Sequence, residues 1–536
     1  MRENPFATGA CLFRRLALLL IPILLIVWSL PSRVQAHAGD LDQSFGNAGK
    51  AIADFLGFWD QARDVAIQTD GRIVTAGFTQ TLNNNDDFAV ARFTAAGALD
   101  QTFGIGGKVV SDFFSGSDQA NALVVQADGK ILVTGFARTS TFTDFALARH
   151  NSDGSLDGSF GIDGKVTTSF TGANTQARDI ALQSDGKIVV GGILNRGPGA
   201  SYTFALTRYF QDGTLDTTFG TNGWVTTNFY AENDNFEPSD QLSAIAIQED
   251  GAIVALGSTL PPNGFGEFAA VRYQPNGTLD KTFGSQGKRT IDFFGSSDGG
   301  RGIAIQPDGK IVVVGLVFNP SKAKSEFGIA RLNLNGDLDA EFGTAGRVTD
   351  DFNALSAAAS CVIVQPDSKI VVAGAAEFRR RNDAYADDAF AAARFNQDGT
   401  LDQLFGSNGR TVQDFGELSD EAYAIAIDSG GRLVLAGGSA SFQTSVDFTL
   451  VRYQNNLRFP QISNALISGK KLFVDGQNFD DGADIFLNGD KQKTANDSEQ
   501  PTNRLIAKKA GKKVKSGDKL IVRNSDGVMS AEYVFP

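Results

Sequence analysis

Two cysteines, two histidines and two methionines are all that the 536 residues contain. Each scarcity removes a class of chemistry. Cys11 precedes the apolar run near the N-terminus, so Cys361 is the single cysteine of everything that follows, and no internal disulfide framework can form there. Cys361 stands in Cys361-Val362-Ile363-Val364 and reads as a small buried apolar side chain. His37 and His150 cannot furnish a His-rich metal site, and a Cys–His nucleophile pair has too few members to assemble. No metal and no cofactor is expected. Basic charge is short as well: the formal net charge is −13, and the acidity is concentrated between residues 39 and 456 because both the leader and the tail are net basic. Such a body argues against nucleic acid or an anionic membrane as the main partner.

Long apolar runs are missing after the first thirty residues. The single one, Leu16 to Leu30, follows Arg14 and Arg15 and precedes Pro31 and the tripeptide Val34-Gln35-Ala36. Basic, apolar and small-residue regions in that order predict a signal peptide over residues 1–36. Pro22 interrupts the run, which is short for a bilayer span of about 20 residues. A secreted, periplasmic or cell-envelope protein with no membrane span in its mature chain is the expectation.

What is present in abundance is repetition. Gly-x-Leu-Asp-x-x-Phe-Gly-x-x-Gly begins at Gly39, Gly97, Gly154, Gly213, Gly277, Gly336 and Gly399, at spacings of 57 to 64 residues. Each copy continues with a short segment such as Lys108 to Phe113, an apolar run ending in glutamine, Asp-Gly, a second apolar run and a segment ending in arginine. Short β-branched and aromatic runs between turn residues predict strands, and Asp-Gly between two of them predicts a two-residue hairpin. Four strands per repeat cannot cover their own faces, whereas radial stacking can. The expected fold is all-β: a seven-bladed propeller over residues 39–456. With Arg63 to Gln68 as an innermost strand, Lys50 to Phe55 is left over at one end and an outer strand is missing at the other, beside Asp447 to Tyr453. The spare strand is expected to close the ring.

These residues resemble the delta-60 repeat, an exported bacterial repeat that forms propellers and has no known catalytic residues. The sixth and seventh copies depart from it at the hairpin, with Asp367-Ser368-Lys369 and Ser429-Gly430-Gly431. Composition changes at Leu457-Arg458-Phe459-Pro460, and residues 457–536 alternate apolar residues with Gly and Asn turns. A small immunoglobulin-like β-sandwich follows from that pattern. Gly476, Asn478, Phe479 and Gly482 make it look like an IPT/TIG domain, in which they hold a turn. The run Lys508, Lys509, Lys512, Lys513 and Lys515 reads as a solvated hairpin.

Candidate functional residues are sought among those that do not recur. The aspartates after leucine (Asp42, Asp100, Asp157 and their counterparts) and the arginines Arg92, Arg149, Arg208, Arg272, Arg331, Arg394 and Arg452 occur in every copy and are read as turn and ion-pair partners. His150 takes a place held elsewhere by Phe93, Tyr209 or Tyr273 and is read as packing. Two connections vary: one after the second strand (residues 79–87, 194–203 and 377–389) and one leading into each inner strand (56–61 and 230–241). In a propeller both emerge on one face, and rigid scaffolds with variable loops make binding surfaces. Phe58, Trp59, Tyr230, Phe236 and Tyr385 are the aromatic candidates there. At the start of the inner strands stand Arg63, Asn121, Arg178, Ser243, Arg301, Ser360 and Tyr423. Arg63, Arg178 and Arg301 are candidates to hold an anionic group, although pairing with acids such as Asp64 and Asp179 is the expectation. The reading is a non-enzymatic binding or scaffold protein whose partner is a polysaccharide or protein at the cell surface. The alternative is a carbohydrate-active enzyme using paired carboxylates on the same face.

Overall fold

Strands form where the sequence alternates short apolar runs with turn residues. The first repeat supplies β1 (Lys50–Ala53), β2 (Asp60–Ile67), β3 (Ile73–Gln80), β4 (Asp86–Phe93) and β5 (Lys108–Ser111). The computed structural model describes residues 37–536 except 56, 171, 198–201, 231–238, 263, 380–385, 416–418, 441–445, 456, 458 and 526. The segment read as a signal peptide therefore lies outside the described residues. Among the described residues the one helical element is the 3-10 turn Ala510–Lys512, and no helix is long and apolar enough to cross a membrane.

β2-β3-β4-β5 make one antiparallel sheet, and the pattern recurs over residues 119–168, 174–227, 241–291, 298–350 and 356–413. A seventh sheet is assembled from both ends of this region. Asp420–Ile427, Leu433–Ser439 and Asp447–Tyr453 supply three strands, and β1 pairs with the last of them, Lys50 opposite Val451 and Ala53 opposite Phe448. The spare strand thus fills the vacant place. Middle strands such as β3 are buried on both faces because a sheet lies on either side, so they read as continuous apolar runs. Seven separate apolar clusters fill the spaces between successive sheets, and one of them, with Phe45, Ala62, Ala424 and Phe448, joins the seventh sheet to the first.

The hairpin between β2 and β3 corrects the two-residue expectation. The Gln68 amide donates to Arg72 O and the Gly71 amide to Gln68 O, so Gln68-Thr69-Asp70-Gly71 form the turn. Gly71 alone takes a positive φ, +83°. A three-residue loop with glycine in the left-handed position results. Ser368 adopts φ +64° at the corresponding place of the sixth copy, which accommodates that departure.

A second layer of each repeat locks neighbouring sheets together. Arg149 Nε donates to Asp157 Oδ2 at 2.7 Å, its guanidinium lies 4.6 Å over the Phe160 ring, and Nη1 reaches Gln211 O in the following repeat. At the seam Arg452 does the same with Asp42 at 2.8 Å, Phe45 at 4.4 Å and the carbonyl of Ala95. The first Gly-x-Leu-Asp copy therefore serves the last sheet. His150 is buried as expected, its Nδ1 lying 3.2 Å from Gly154 O, and burial pulls its imidazole down to about 4.

Residues 461–534 form two further four-stranded sheets around Leu472, Val474, Ile485, Leu505, Leu520 and Val522. The lysine run corrects another expectation. Ala510 and Val514 turn inward around the 3-10 turn, leaving exposed lysines on a tight corner where a hairpin was expected. Two loop bounds also change: Asp60 and Gln61 belong to β2, and the strands Ile370–Arg379 and Ala386–Phe395 absorb much of the 377–389 connection.

Candidate functional site

The first strand of every sheet is interrupted once, at the same place. Ala62 pairs with Gly77 and Asp64 with Ala76, which leaves Arg63 unpaired in a β-bulge. The other six sheets slip by one residue at Asn121, Arg178, Ser243, Arg301, Ser360 and Tyr423. A bulge bends its strand and redirects a side chain. Here it does so once per sheet, and the non-recurring residues singled out from the sequence are the bulged ones.

The bulge has a sequence cause that the strand reading passed over. A Cβ on Gly77 would stand 1.9 Å from Gln61 O, and on Gly135 the same distance from Gln119 O. Glycines 192, 257, 315, 374 and 437 face the equivalent carbonyl at 1.8–2.1 Å. A glycine inside each otherwise β-branched second strand marks a bulge opposite it. That signal was present seven times in the sequence.

The bulged side chains meet across the molecule. Arg63 of the first sheet lies 4.6 Å over the ring of Tyr423 of the seventh. Tyr423 donates to Glu421 Oε2 at 2.7 Å and accepts from Gln61 Nε2 at 2.8 Å. Arg301 of the fifth sheet passes Ser360, 3.4 Å away, to stand 3.8 Å from Glu421 of the seventh. Arg178 of the third sheet donates to Gln176 Oε1 at 2.9 Å. Burial lowers its pKa from the ordinary arginine value, and the positive charge of Arg63 adds to that effect. The contact between Arg301 of the fifth sheet and Glu421 of the seventh skips a sheet and is possible only through the middle. The ring therefore faces a central channel, near the end where the variable loops lie.

Pairing of these arginines with Asp64 and Asp179 does not occur. Asp64 Oδ1 accepts the Val65 amide at 2.7 Å and Oδ2 the Leu123 amide of the second sheet at 2.8 Å. Asp179 does the same with Ile180 and with Ile245 of the fourth sheet, at 2.8 and 2.7 Å. Each carboxylate bridges to an edge amide of the next sheet's innermost strand. Burial pushes Asp64 up to about 6 and Asp179 up to about 7, the latter also feeling the Asp64 charge. Cys361 occupies the same tier: it is half-buried against the cluster of Ala373, Ala422 and Leu435, its Sγ donates to Ala373 O at 3.7 Å, and burial with the nearby Asp64 charge raises its thiol above the ordinary range.

The aromatic candidates are dispersed. Trp59 is 49% exposed beside the start of β2, and Phe58 next to it is half-buried. Tyr230 precedes the fourth sheet, three sheets away, and packs toward Thr290 and Glu267; burial and the Glu267 carboxylate raise its phenol. Phe236 and Tyr385 lie outside the described residues. Two acidic triads, Asp54-Asp60-Asp447 and Asp87-Asp112-Asp118, bring carboxylate oxygens within 4.8 Å of one another on this face. Two of their buried members are turn supports: Asp60 accepts the Phe55 amide and Asp118 the Phe113 amide, and Asp298 and Asp420 repeat the bond with Phe293 and Phe415. A groove of about 1050 Å³ lies elsewhere, along the outer edge strand Arg410–Gln413.

Comparison with known proteins agrees with the repeat. Residues 68–103, 126–160, 183–219, 248–283, 306–342 and 365–405 each match a family model described as "Domain of unknown function (DUF5122) beta-propeller". No curated protein matches the chain. Solved structures similar to it include a protein of unknown function from Dyadobacter fermentans (11% identity, 76% of this chain and 98% of that one, TM-score 0.42). The polysaccharide lyase Uly1 is 10% identical (78% and 97%, TM-score 0.42). The β-propeller domain of the Trilobed protease from Pyrococcus furiosus is also 10% identical (75% and 95%, TM-score 0.37). The chain is an all-β, β-propeller-repeat protein, six of whose repeats match that family model.

Proposed function

We propose that this is an exported, non-enzymatic binding or scaffold protein of the bacterial envelope or exterior. On this reading residues 1–36 are a cleaved signal peptide. Residues 39–456 form one closed seven-bladed propeller of the delta-60 kind, and residues 457–536 an immunoglobulin-like sandwich of the IPT/TIG type that acts as spacer or second contact. The partner is a polysaccharide or protein at the cell surface, met by the variable loops around Trp59, Phe58 and Tyr230.

The observation that carries this reading is the inequality of the two ends of the strands. At the hairpin end the turns repeat with the same hydrogen bonds, Gln68 to Arg72 and Gln126 to Lys130, above the arginine–aspartate layer. At the other end the connections differ in length and composition from sheet to sheet, and Trp59, Phe58 and Tyr230 stand there outside the repeat, exposed or half-buried. A rigid frame with one variable face suits recognition. The paired-carboxylate alternative has less support. Of the channel-facing acids that do not recur, Asp64 and Asp179 have all four oxygens taken by amides, and Glu421 accepts from Tyr423 beside Arg301. The test is a glycan and protein array probed with the chain from residue 37 onward. A captured partner should be lost on joint Trp59→Ala and Tyr230→Ala substitution. Retention there, with loss on substitution at the Asp-Gly hairpins, would place the contact on the opposite face.

A further inference from the structure

We propose that the bulge ring is an oxyanion site: a ligand carboxylate, sulfate or phosphate group entering the channel from the variable-loop end is held by Arg63, Arg178 and Arg301. It stands apart from the loop-face reading, because it holds whether or not a partner docks on those loops.

The chain shows how it houses an arginine that serves only the fold. Arg149 has a carboxylate at 2.7 Å, an aromatic ring beneath it and a carbonyl ahead of it, and the other recurring arginines repeat this. None of the ring arginines has a carboxylate at direct hydrogen-bond distance. Among the described residues Arg63 has ring faces for partners, and its Nε is buried with no acceptor. Arg178 has one amide oxygen. Arg301 has a serine hydroxyl at 3.4 Å and Glu421 at 3.8 Å, longer than a direct hydrogen bond. The three guanidinium groups thus have one carboxylate within 4 Å among them, Glu421 beside Arg301, at a place built by distorting the inner strand of each sheet. Partly desolvated like charges with a single carboxylate among three of them destabilise a fold, and such arrangements belong to sites completed by a ligand.

The geometry suits an oxyanion. Guanidinium forks donate in pairs to carboxylate, sulfate and phosphate oxygens. Arg63 is held in place by the Tyr423 ring, which Gln61 and Glu421 anchor from either side, so little side-chain freedom remains to be lost on binding. The acids of the next tier do not compete, since both Asp64 and Asp179 face backbone amides. A small positive ring inside an otherwise acidic body directs an anion to the channel and away from the outer surface.

The test is isothermal titration of the chain from residue 37 onward with sodium glucuronate, sulfate and phosphate, at constant ionic strength in chloride. Saturable one-to-one binding of at least one of them is expected. Preference for glucuronate assigns a carboxylate ligand, and preference for sulfate or phosphate assigns an ester. Arg63→Gln or Arg178→Gln should weaken it about tenfold or more, the loss of one charge-assisted hydrogen bond. Arg63→Lys and Arg178→Lys keep the charge and should still lose most of the affinity, because the fork is gone. The glutamine variants should melt no lower than the parent in chloride, since repulsion between Arg63 and Arg178 is relieved. Absence of saturable binding for all three anions would overturn the proposal, as would unchanged affinity in the Arg63→Gln/Arg178→Gln double variant. A lowered melting temperature in chloride would overturn the assignment of these arginines to a ligand and return them to the fold.

Discussion

Arg149 and Arg178 stand in neighbouring sheets and carry the same guanidinium, yet they are housed in opposite ways. Arg149 is buried with Asp157 and Phe160 in a layer that every repeat copies. Arg178 projects from a bulge into the channel, with Gln176 for company and Arg63 near enough to disfavour its charge. The first arrangement satisfies a charge at the site where it is buried. The second leaves part of that task to something outside the chain. The same contrast separates the two ends of the strands: one is closed by recurring turns, the other is varied.

Breaking the recurring layer should do the most damage at its seam. Removing residues 37–55 deletes β1 and takes Asp42 from Arg452. The seventh sheet then has an unpaired edge and a buried Arg452 left with only the longer contact to Asp428 at 3.5 Å, so loss of cooperative melting and aggregation on size exclusion are expected. A monodisperse variant with an unchanged melting curve would refute the seam. Next in size is Arg149→Met, which leaves Asp157 buried without its arginine. A loss of about 3 kcal/mol is expected, the lower end for breaking a buried pair. Lys130 still lies 2.9 Å from that carboxylate. Chemical denaturation reads it, and a change below the error of the measurement would contradict the contrast with Arg178.

Gly77→Ala tests what supports the bulge. The new methyl would stand 1.9 Å from Gln61 O, so the strand must move. Overpacking of this kind costs about 1–3 kcal/mol. Because Gln61 also holds Tyr423, anion binding at the ring should fall with the melting temperature. Stability lost with binding intact would show that Arg63 does not depend on the bulge.

The smallest effect separates two kinds of buried aspartate by pH. Burial, then the Asp64 charge, raise Asp179 to about 7 against the pull of the Ile245 and Ile180 amides. A folded pKa above the unfolded value means stability that is full below about pH 4 and is lost as pH rises through about 7. Asp157 is the reverse. Burial opposes its charge, but the Ser159 hydroxyl, Lys130, the Ser159 amide and Arg149 outweigh burial and hold the carboxyl well below the usual range. Its contribution is present above about pH 4 and is lost only in acid. Asp179→Asn should therefore flatten the decline of the melting temperature between pH 4.5 and 8, and Asp157→Asn should flatten the decline below pH 4. Identical slopes for parent and Asp179→Asn would show that Asp179 ionises normally in the fold.

Much of this was legible beforehand, and for local reasons. Each Gly-x-Leu-Asp turn, each glutamine before its hairpin and each arginine at a strand end acts within a few residues of itself or at the fixed offset of one repeat. Copying a segment seven times copies its contacts. Arg92 meets Asp100 eight residues on, and the same offset serves the other repeats, so partner and role follow from the spacing. Two expectations failed where the offset was not local. Asp64 and Asp179 were assigned to adjacent arginines, but their acceptor oxygens are taken by amides 59 and 66 residues away. The hairpin reading failed on a smaller scale, because Asp-Gly is compatible with more than one loop, and Gly71 alone takes the positive φ.

The strand units, the spare strand at the N-terminus and the buried arginine–aspartate layer follow from the order of residues alone, because turn chemistry and apolar alternation act over distances shorter than one repeat. Which non-recurring residues meet depends on how the sheets are arranged around one another. Arg63, Arg178, Arg301 and Tyr423 are spread over 361 positions of the chain and belong to four different sheets. They converge because every inner strand carries a bulge at the same height and turns its odd residue toward the axis, and side chains that meet across an axis have no fixed spacing in sequence.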